Sequence, residues 1–295
     1  MFKITAMLQR VQLKRVGLID MLTRMASTNS TKVDIGGKKL GKEDFNEAGF
    51  IRPSRHALLH EKVRICGSQS ALPEDYYSST KKESYFVRHQ QGFVDENITS
   101  DMISEPIYGT YSITYIGTSS IVCHSKLILE KQQKCISTCI VQVICVNLES
   151  RRPCPVPKLF TDAHSYAAHA QKPNFPDLSE TLKSSDEIYS KKVIVGDDDV
   201  DVNKHMNQAS YFKFCIDVAQ SYFRSRPNTD KILTYVTPYI LNGQLRGYIA
   251  QYFGETQRGD ELHYTMWQDL KQDHLLNFEA KKQNNVVFRG QLDFN

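Results

Sequence analysis

The sequence lacks several features that mark broad classes of protein. It has no apolar run long enough to cross a bilayer as a helix, so no stable membrane span is expected. Its formal net charge is only +4, and much of this net charge lies near the N-terminus, so no nucleic-acid partner is expected. The seven cysteines occur without a C-x-x-C spacing, which argues against a disulfide framework and a zinc site. We therefore expect free thiols in a reducing compartment and neither a metal ion nor a cofactor.

The first 35 residues have the composition of a targeting segment. Basic residues outnumber the two acidic residues, Asp20 and Asp34, and an apolar side is supplied mainly by Leu and Val. A basic, acid-poor, amphipathic segment that ends in Ser and Thr is typical of a mitochondrial presequence. It lacks the continuous apolar core of a secretory signal. We predict a mitochondrial protein; the alternatives are a disordered cytoplasmic extension and a helix on a membrane surface.

A polar segment followed by an apolar helix is the most informative feature of the chain. Asp201, Asn203 and His205 alternate with other residues, and in an extended segment alternate side chains point the same way. Asn207 is a suitable N-cap for a helix that we predict to run to about Arg224, with apolar residues three or four apart. The sequence thus predicts a reactive cluster at the start of a buried helix, where free backbone N–H groups stabilise negative charge.

These residues resemble the active-site loop and central helix of hotdog-fold thioesterases, and most closely the motif D-x-D-V-N-x-H-x-N-N-x-x-Y of acyl-acyl-carrier-protein thioesterases. The matching residues are Asp199, Asp201, Val202, Asn203, His205, Asn207 and Tyr211. Gln208 stands where a second Asn is usual. The family's later Y-x-x-E pattern is matched by Tyr252 to Glu255. Some members have a Cys after that Glu; here Thr256 excludes a cysteine nucleophile at this position.

The resemblance and the chemistry of a thioester together suggest a role for each residue. Hydrolysis requires an activated water, a site for the oxyanion and a proton for the leaving thiolate. We predict that Glu255 is the general base and that Asn203 holds the water or the carbonyl oxygen. His205 would donate to the leaving sulfur or orient the water, and Asp201 would fix the imidazole. The predicted substrate-binding residues are Asn207 and Tyr211.

The order of predicted elements occurs twice along the chain. In the first half a helix from His56 to about Cys66 precedes strands at Ser84–Arg88, Tyr108–Tyr115, Ser120–Leu129 and Cys135–Asn147. In the second half the Asn207 helix precedes strands at Gly247–Glu255, Glu261–Asp269, Leu275–Lys281 and Asn285–Phe294. Two landmarks are offset by similar distances: Gly109 and Gly259 by 150 residues, and Phe50 and His205 by 155 residues. Nearly equal offsets indicate an internal duplication.

We therefore predict an α+β fold of two tandem hotdog domains, each a long helix wrapped by an antiparallel sheet. The expected boundaries are a presequence or disordered segment at 1–35, an N-terminal hotdog at 36–157, a linker at 158–189 and a C-terminal hotdog with the active site at 190–295. The first domain is expected to lack catalysis, because Phe50 stands where the motif has His205. The resemblance implies that its apolar interior holds the acyl chain. A homodimer is a further option.

Three functions fit this sequence. The first is hydrolysis of fatty acyl thioesters, carried on acyl carrier protein or on coenzyme A, to free fatty acid and thiol. The second is a hotdog hydratase or dehydratase that acts on acyl thioesters. The third is an acyl-binding protein without catalytic activity. The matched motif favours the thioesterase, and the two carriers are left open.

Overall fold

The computed structural model describes residues 30–35, 40–72, 76, 82–95, 100, 106–179, 189–201, 203–225, 245–269 and 272–294. Positions 1–29 of the predicted presequence lie outside the described residues, as do Val202 of the motif and positions 180–188 of the predicted linker.

The described strands form one antiparallel sheet of eleven strands. They are β1 (Thr31–Val33), β2 (Glu83–Val94), β3 (Ile107–Ile116), β4 (Ser120–Leu129), β5 (Lys134–Asn147), β6 (Arg152–Pro153), β7 (Tyr189–Ile194), β8 (Leu245–Tyr252), β9 (Glu261–Asp269), β10 (Gln272–Lys282) and β11 (Asn285–Phe294). Their spatial order is β1-β3-β4-β5-β2-β8-β11-β10-β9-β7, with β6 paired to β5. The second half of this order mirrors the first, so the two units are related by a pseudo-two-fold axis at the β2–β8 junction.

A long helix packs against each half of the sheet. In the first unit this is α1 (Pro53–Ala71), which begins three residues earlier than predicted because Pro53 favours the first helical position. The linker contributes α2 (Lys158–Ala163) and α3 (Ser165–Ala168), and the second unit contributes α4 (Gln208–Ser225). The two long helices also contact each other. The predicted α+β fold of two tandem hotdog units is therefore confirmed.

The turns that precede α1 and α4 have the same hydrogen bonds at equivalent positions. The equivalent pairs are 155 residues apart: Gly41 and Gly196, Asp44 and Asp199, Asn46 and Asp201, Gly49 and Lys204, Phe50 and His205. In each turn the aspartate accepts the glycine N–H, at 2.8 Å in the first unit and 3.0 Å in the second. The residue before Phe50 in the first turn, Gly49, and the residue before His205 in the second, Lys204, both have positive φ. The offset deduced from Phe50 and His205 thus holds along the whole turn.

The other landmark used to infer the duplication was wrong. Gly259 lies in a turn before β9, whereas Gly109 lies inside β3, where it pairs with Val33 and Leu127. The first residues of β3 and β9 are Ile107 and Glu261, which are 154 residues apart. The strands therefore follow nearly the same offset as the turns, and the glycine match was a coincidence of sequence.

Short strands close both edges of the sheet, and neither was predicted. Thr31–Val33 pairs with β3, so residues placed in the predicted 1–35 segment already belong to the first unit. At the opposite edge Tyr189–Ile194 pairs with β9. Side chains of this strand are alternately half-buried and exposed. A strand with two lysines and one solvated face has too few apolar residues to be recognised from composition.

The junction between the two units depends on one glycine. Gly92 of β2 lies opposite Tyr248 of β8, and a Cβ atom at position 92 would lie 2.3 Å from the tyrosine ring. The absence of a side chain lets the Tyr248 ring cross the junction. Its hydroxyl then reaches His56 of α1 at 3.3 Å, so a residue of the second unit enters the core of the first.

The linker packs on the first unit and then crosses to the second. Phe160 of α2 is buried against the first unit, and α3 follows directly after α2. His164 hydrogen-bonds the carbonyl of Ala71 at 2.7 Å. Farther along, the carbonyl of Pro176 accepts a hydrogen bond from Gln251 of β8 at 3.3 Å. These contacts fix the path of the described part of the linker.

A polar cluster lies in the core of the first unit. Ser137 Oγ contacts Nε2 of both His56 and His60, and His60 Nδ1 contacts Ser125 Oγ at 2.7 Å. Both imidazoles are fully buried. Because Ser137 has a single hydroxyl proton, it can donate to only one ring, so the other ring must donate to it. Two neutral histidines of opposite tautomer satisfy this arrangement.

Burial keeps these histidines neutral. It lowers the pKa of His56 to about 3. Burial also lowers the pKa of His60 well below 6.5, and repulsion from the protonated forms of His56 and His124 lowers it further. Burial and Lys126 lower the pKa of His124 to about 4. As pH falls below 6.5, the unfolded chain binds protons that the folded chain does not, so the folded state loses relative stability.

We expect the free energy of unfolding to fall between pH 6.5 and about 4. Each buried histidine should contribute a slope of up to about 1.4 kcal/mol per pH unit. Urea unfolding at several pH values measures this slope directly. His124→Phe should make it shallower, and His169→Gln, at an exposed position, should not. Equal slopes for wild type and His124→Phe would contradict the expectation.

Candidate active site

A cavity of about 390 Å³ lies where the two units meet. The second unit contributes the turn that precedes α4 and the segment that follows β8. The first unit contributes the start of β2, together with Leu148 and Arg151 from the turn after β5. All the predicted site residues except Asn207 line this cavity: Asp201, Asn203, His205, Tyr211 and Glu255.

The segment from Asp201 to His205 is a closed turn and not the predicted extended segment. Lys204 N–H donates to the Asp201 carbonyl at 2.9 Å, and Lys204 has a φ of 64°. The Asp201 carboxylate accepts the backbone N–H groups of Asn203 and His205 at 2.8 and 3.1 Å. This carboxylate therefore shapes the turn and does not contact the imidazole, contrary to the orienting role predicted for it.

Backbone pairing brings His205 next to Glu255. The N–H of Met206 donates to the carbonyl of Thr256 at 2.7 Å, and His205 pairs with Gln257. Glu255 lies three residues beyond the end of β8, not within a strand as predicted. His205 Nε2 is 3.5 Å from Glu255 Oε2, and the two side chains are 27% and 35% exposed. An imidazole and a carboxylate this close can both contact one water that lies beside them in the cavity.

The first unit supplies a cation to the same carboxylate. Arg151 Nη1 is 3.5 Å from Glu255 Oε1. Arg151 has a φ of 56°, held by a turn in which its N–H donates to the carbonyl of Asn147 at 2.8 Å. Glu255 thus lies between His205 on one oxygen and Arg151 on the other. The Arg/Pro-rich composition of this segment was a signal, but its partner could not be deduced from sequence.

The start of α4 leaves one backbone donor available. The side chain of Asn207 caps the helix by accepting the N–H of Ala209 at 2.7 Å, and its carbonyl accepts the N–H of Ser210. Its amide nitrogen donates to Glu61 of α1 at 2.9 Å, so both ends of the predicted substrate-binding amide are engaged within the protein. Among the described residues, the N–H of Gln208 has no partner. This N–H is the candidate oxyanion donor.

Tyr211 forms a neutral wall of the cavity. Its hydroxyl contacts Thr256 Oγ1 at 2.8 Å, and it is almost fully buried. Burial raises the pKa of Tyr211 to about 12. The negative charges of Asp260 and Glu255 also raise this pKa, and the hydrogen bond with Thr256 lowers it. The phenol therefore stays protonated at neutral pH and serves as a hydrogen-bonding group, not a base. From the sequence, Thr256 only excludes a cysteine nucleophile at this position, and no sequence pattern predicts its contact with Tyr211.

Two features of the structure bear on other kinds of site. None of the described helices is long and apolar enough to span a bilayer. Within the part of the chain that the structure describes, no three side chains of His, Cys, Asp or Glu are grouped as ligands for a metal ion. All seven cysteines are free thiols.

The equivalent turn of the first unit lacks the chemistry. Phe50 and Ala48 occupy the positions of His205 and Asn203, and the Asn46 side chain accepts their N–H groups as Asp201 does in the second unit. We expect that Phe50→His creates no second site. Ala48 supplies no side-chain amide at the position of Asn203, and Arg52 and Pro53 stand where the motif has its pair of asparagines. Thioester hydrolysis by His205→Ala and by the double variant Phe50→His/His205→Ala should be equally low. A double variant that recovered activity would contradict this expectation.

A second cavity, of about 250 Å³, adjoins the first. It lies between the C-terminal half of α1 and the sheet of the first unit. Ser84 and Tyr85 line both cavities. Arg64 of α1 lines the second cavity, and its Nη2 donates to Gln208 Oε1 at 3.2 Å, which belongs to the lining of the first. The two cavities therefore share a wall that is made by both units.

Comparisons with known proteins identify the fold. No protein-family profile matches the sequence, and no curated protein matches it. The structure resembles the 12:0-ACP thioesterase from Umbellularia californica over 90% of this chain and 96% of that one, with 12% identity and a TM-score of 0.64. It resembles an acyl-ACP thioesterase from Bacteroides thetaiotaomicron over 90% and 97%, with 14% identity and a TM-score of 0.61. A Lactobacillus plantarum protein, provisionally designated an oleoyl thioesterase, matches over 92% and 99%, with 11% identity and a TM-score of 0.66. At these identities the likeness is one of fold.

Proposed function

We propose that this protein is a thioesterase that hydrolyses fatty acyl thioesters to free fatty acid and thiol. The observation that carries the proposal is the 3.5 Å approach of His205 to Glu255 in a cavity at the start of a buried helix. The fold shared with proteins described as acyl-ACP thioesterases supports it. So does the sequence motif, which matches the loop and the glutamate at the positions that meet in this cavity.

The arrangement is suited to direct attack by water. Glu255 takes a proton from a water that Asn203 and His205 hold, and the water oxygen attacks the thioester carbonyl carbon. The N–H of Gln208 stabilises the oxyanion of the tetrahedral intermediate. Collapse of this intermediate breaks the C–S bond, and the sulfur leaves with a proton returned through His205. Arg151 keeps the Glu255 carboxylate oriented towards the cavity.

The first unit would bind the acyl chain. Its cavity adjoins the catalytic cavity at Ser84 and Tyr85, and Ile121, Val143 and Phe160 supply apolar walls. Each buried methylene of the chain contributes about 0.8 kcal/mol, so a cavity of fixed depth selects chain length. In this division of labour the first unit supplies binding and the second supplies the reaction.

Release of thiol from a graded series of acyl thioesters tests the proposal. The purified protein should release free thiol from fatty acyl thioesters, and a comparison of coenzyme A with acyl carrier protein at each length identifies the carrier. Absorbance loss with a 2-enoyl thioester, without thiol release, would instead indicate a hydratase. Binding without any turnover would indicate an acyl-binding protein.

We also propose that residues 1–35 direct the protein to mitochondria, on the strength of their basic, acid-poor composition. Residues 1–35 fused to a fluorescent protein should be imported, and cytoplasmic fluorescence would refute the proposal. A homodimer is a separate proposal, to be checked by light scattering in solution; the cavity itself is formed by the two units of one chain.

A further inference from the structure

A guanidinium in the wall of the second cavity is not explained by binding a plain hydrocarbon chain. Arg64 is half-buried, with its side chain 16% exposed, and it lines the cavity beside apolar residues. Both of its polar contacts are made by Nη2, to Gln208 at 3.2 Å and to Glu61 at 3.8 Å. Among the described residues, Nε and Nη1 have no partner. A half-buried guanidinium with unused donors favours a ligand that carries acceptor oxygens.

The charge of Arg64 acts on the interior of this cavity. Burial raises the pKa of Tyr111 and of Cys123, and the Arg64 charge opposes both rises. Both residues line the cavity. Arg64 lines the same cavity, so a ligand bound there would lie beside its guanidinium. A methylene chain placed against it would cover its N–H groups without replacing their hydrogen bonds, which is unfavourable.

The surrounding charges decide which oxygen would suit it. Glu61 already pairs with Arg64, and Glu83 lines the same cavity. A carboxylate on the ligand would be the third in a region that has one arginine and two glutamates, and would add to its negative charge. A hydroxyl or keto oxygen accepts a hydrogen bond from the guanidinium without this repulsion.

We propose that the second cavity binds acyl chains that carry a neutral oxygen, a hydroxyl or a keto group, which accepts a hydrogen bond from Arg64. The inference rests on the proposed thioesterase function, since it assigns the substrate class of that site. Arg64 is then a specificity-determining residue. It lies in the first unit, and Gln208 joins it to the start of the catalytic helix.

Matched substrates test the inference without any variant. One set of coenzyme A thioesters has a single chain length and is plain, or has one hydroxyl or keto group at successive carbons, or ends in a carboxylate. In the wild type, the oxygen at one region of the chain should raise kcat/KM by about tenfold or more over the plain chain. The terminal carboxylate should give no such gain. If no oxygenated chain exceeds the plain one, the inference is wrong while the thioesterase proposal stands.

Variants at Arg64 identify the group responsible. In Arg64→Met the ratio of oxygenated to plain substrate should fall to about one, and Arg64→Lys should keep part of the preference because it can still donate. Ile65→Ala, at an exposed position on the same helix, should keep the wild-type ratio. A preference that survives in both Arg64 variants would assign the oxygen to another part of the protein and overturn the inference.

A binding measurement separates this inference from the proposed function. Calorimetry with free hydroxy and plain fatty acids on Glu255→Gln requires no turnover. Tighter binding of one hydroxy acid, lost when Arg64→Met is added, would support the cavity assignment even if the wild type hydrolysed no thioester. Equal binding of both acids would reject it.

Discussion

Glu255→Gln should lower kcat/KM for acyl thioester hydrolysis by about 10²–10⁴-fold, and His205→Ala should have an effect of similar size. The amide of glutamine keeps the shape of the carboxylate but cannot accept a proton from water. Loss of the imidazole, whose Nε2 lies 3.5 Å from Glu255 Oε2, removes the second partner of the same water. Because the two groups act on one step, the double variant should lose little more than either single variant.

The control for this prediction is a glutamate outside the cavity. Glu261 is exposed and pairs with Lys192 at 2.8 Å, so Glu261→Gln should retain near-wild-type hydrolysis. Circular dichroism and a fatty-acid binding assay show whether each variant is folded and still binds. A folded His205→Ala protein with full activity would refute the proposed mechanism.

Ser137→Ala should lower the free energy of unfolding by about 2–5 kcal/mol. The substitution removes the one hydroxyl that contacts Nε2 of both His56 and His60. Each buried ring nitrogen left without a partner costs about 1–3 kcal/mol. Urea unfolding measures the loss.

Ser70→Ala is the matched control for this second prediction. Ser70 is exposed at the C-terminal end of α1, and the loss of its hydroxyl should change stability by less than about 0.5 kcal/mol. If Ser137→Ala unfolded at the same urea concentration as Ser70→Ala, the two histidines would not depend on the bridging hydroxyl.

Strands that bury one continuous apolar face were predictable to the residue. Ser120–Leu129, Glu261–Asp269 and Asn285–Phe294 have the predicted bounds, because large apolar or aromatic residues recur along each of them and turns bound them in the sequence. By contrast β2 was predicted to end at Arg88 and continues to Val94. Its second part contains Gln90 and Gly92, which look unsuited to a strand until the partner strand of the other unit is known.

The site was predictable where its residues belong to the two motifs of the second unit and unpredictable where they come from the first unit. The motif led to His205 and Glu255, and the chain brings them together. The alternation of Asp201, Asn203 and His205 misled, because a carboxylate can hydrogen-bond its own backbone and close a turn. Arg151, Glu61 and Arg64 belong to the other unit, and no local pattern relates them to the motif.

The β2–β8 junction has a consequence for how the proposed activity responds to dilution. Where a site forms between separate subunits, activity falls when the concentration drops below the dissociation constant of the pair. Here one covalent chain holds both units, and the effective concentration of each for the other is set by the linker and not by the number of molecules in solution. The sequences of the two units can also diverge, because each unit always pairs with the same partner unit. The turn that contains Phe50 and the turn that contains His205 can then be inherited together in one chain.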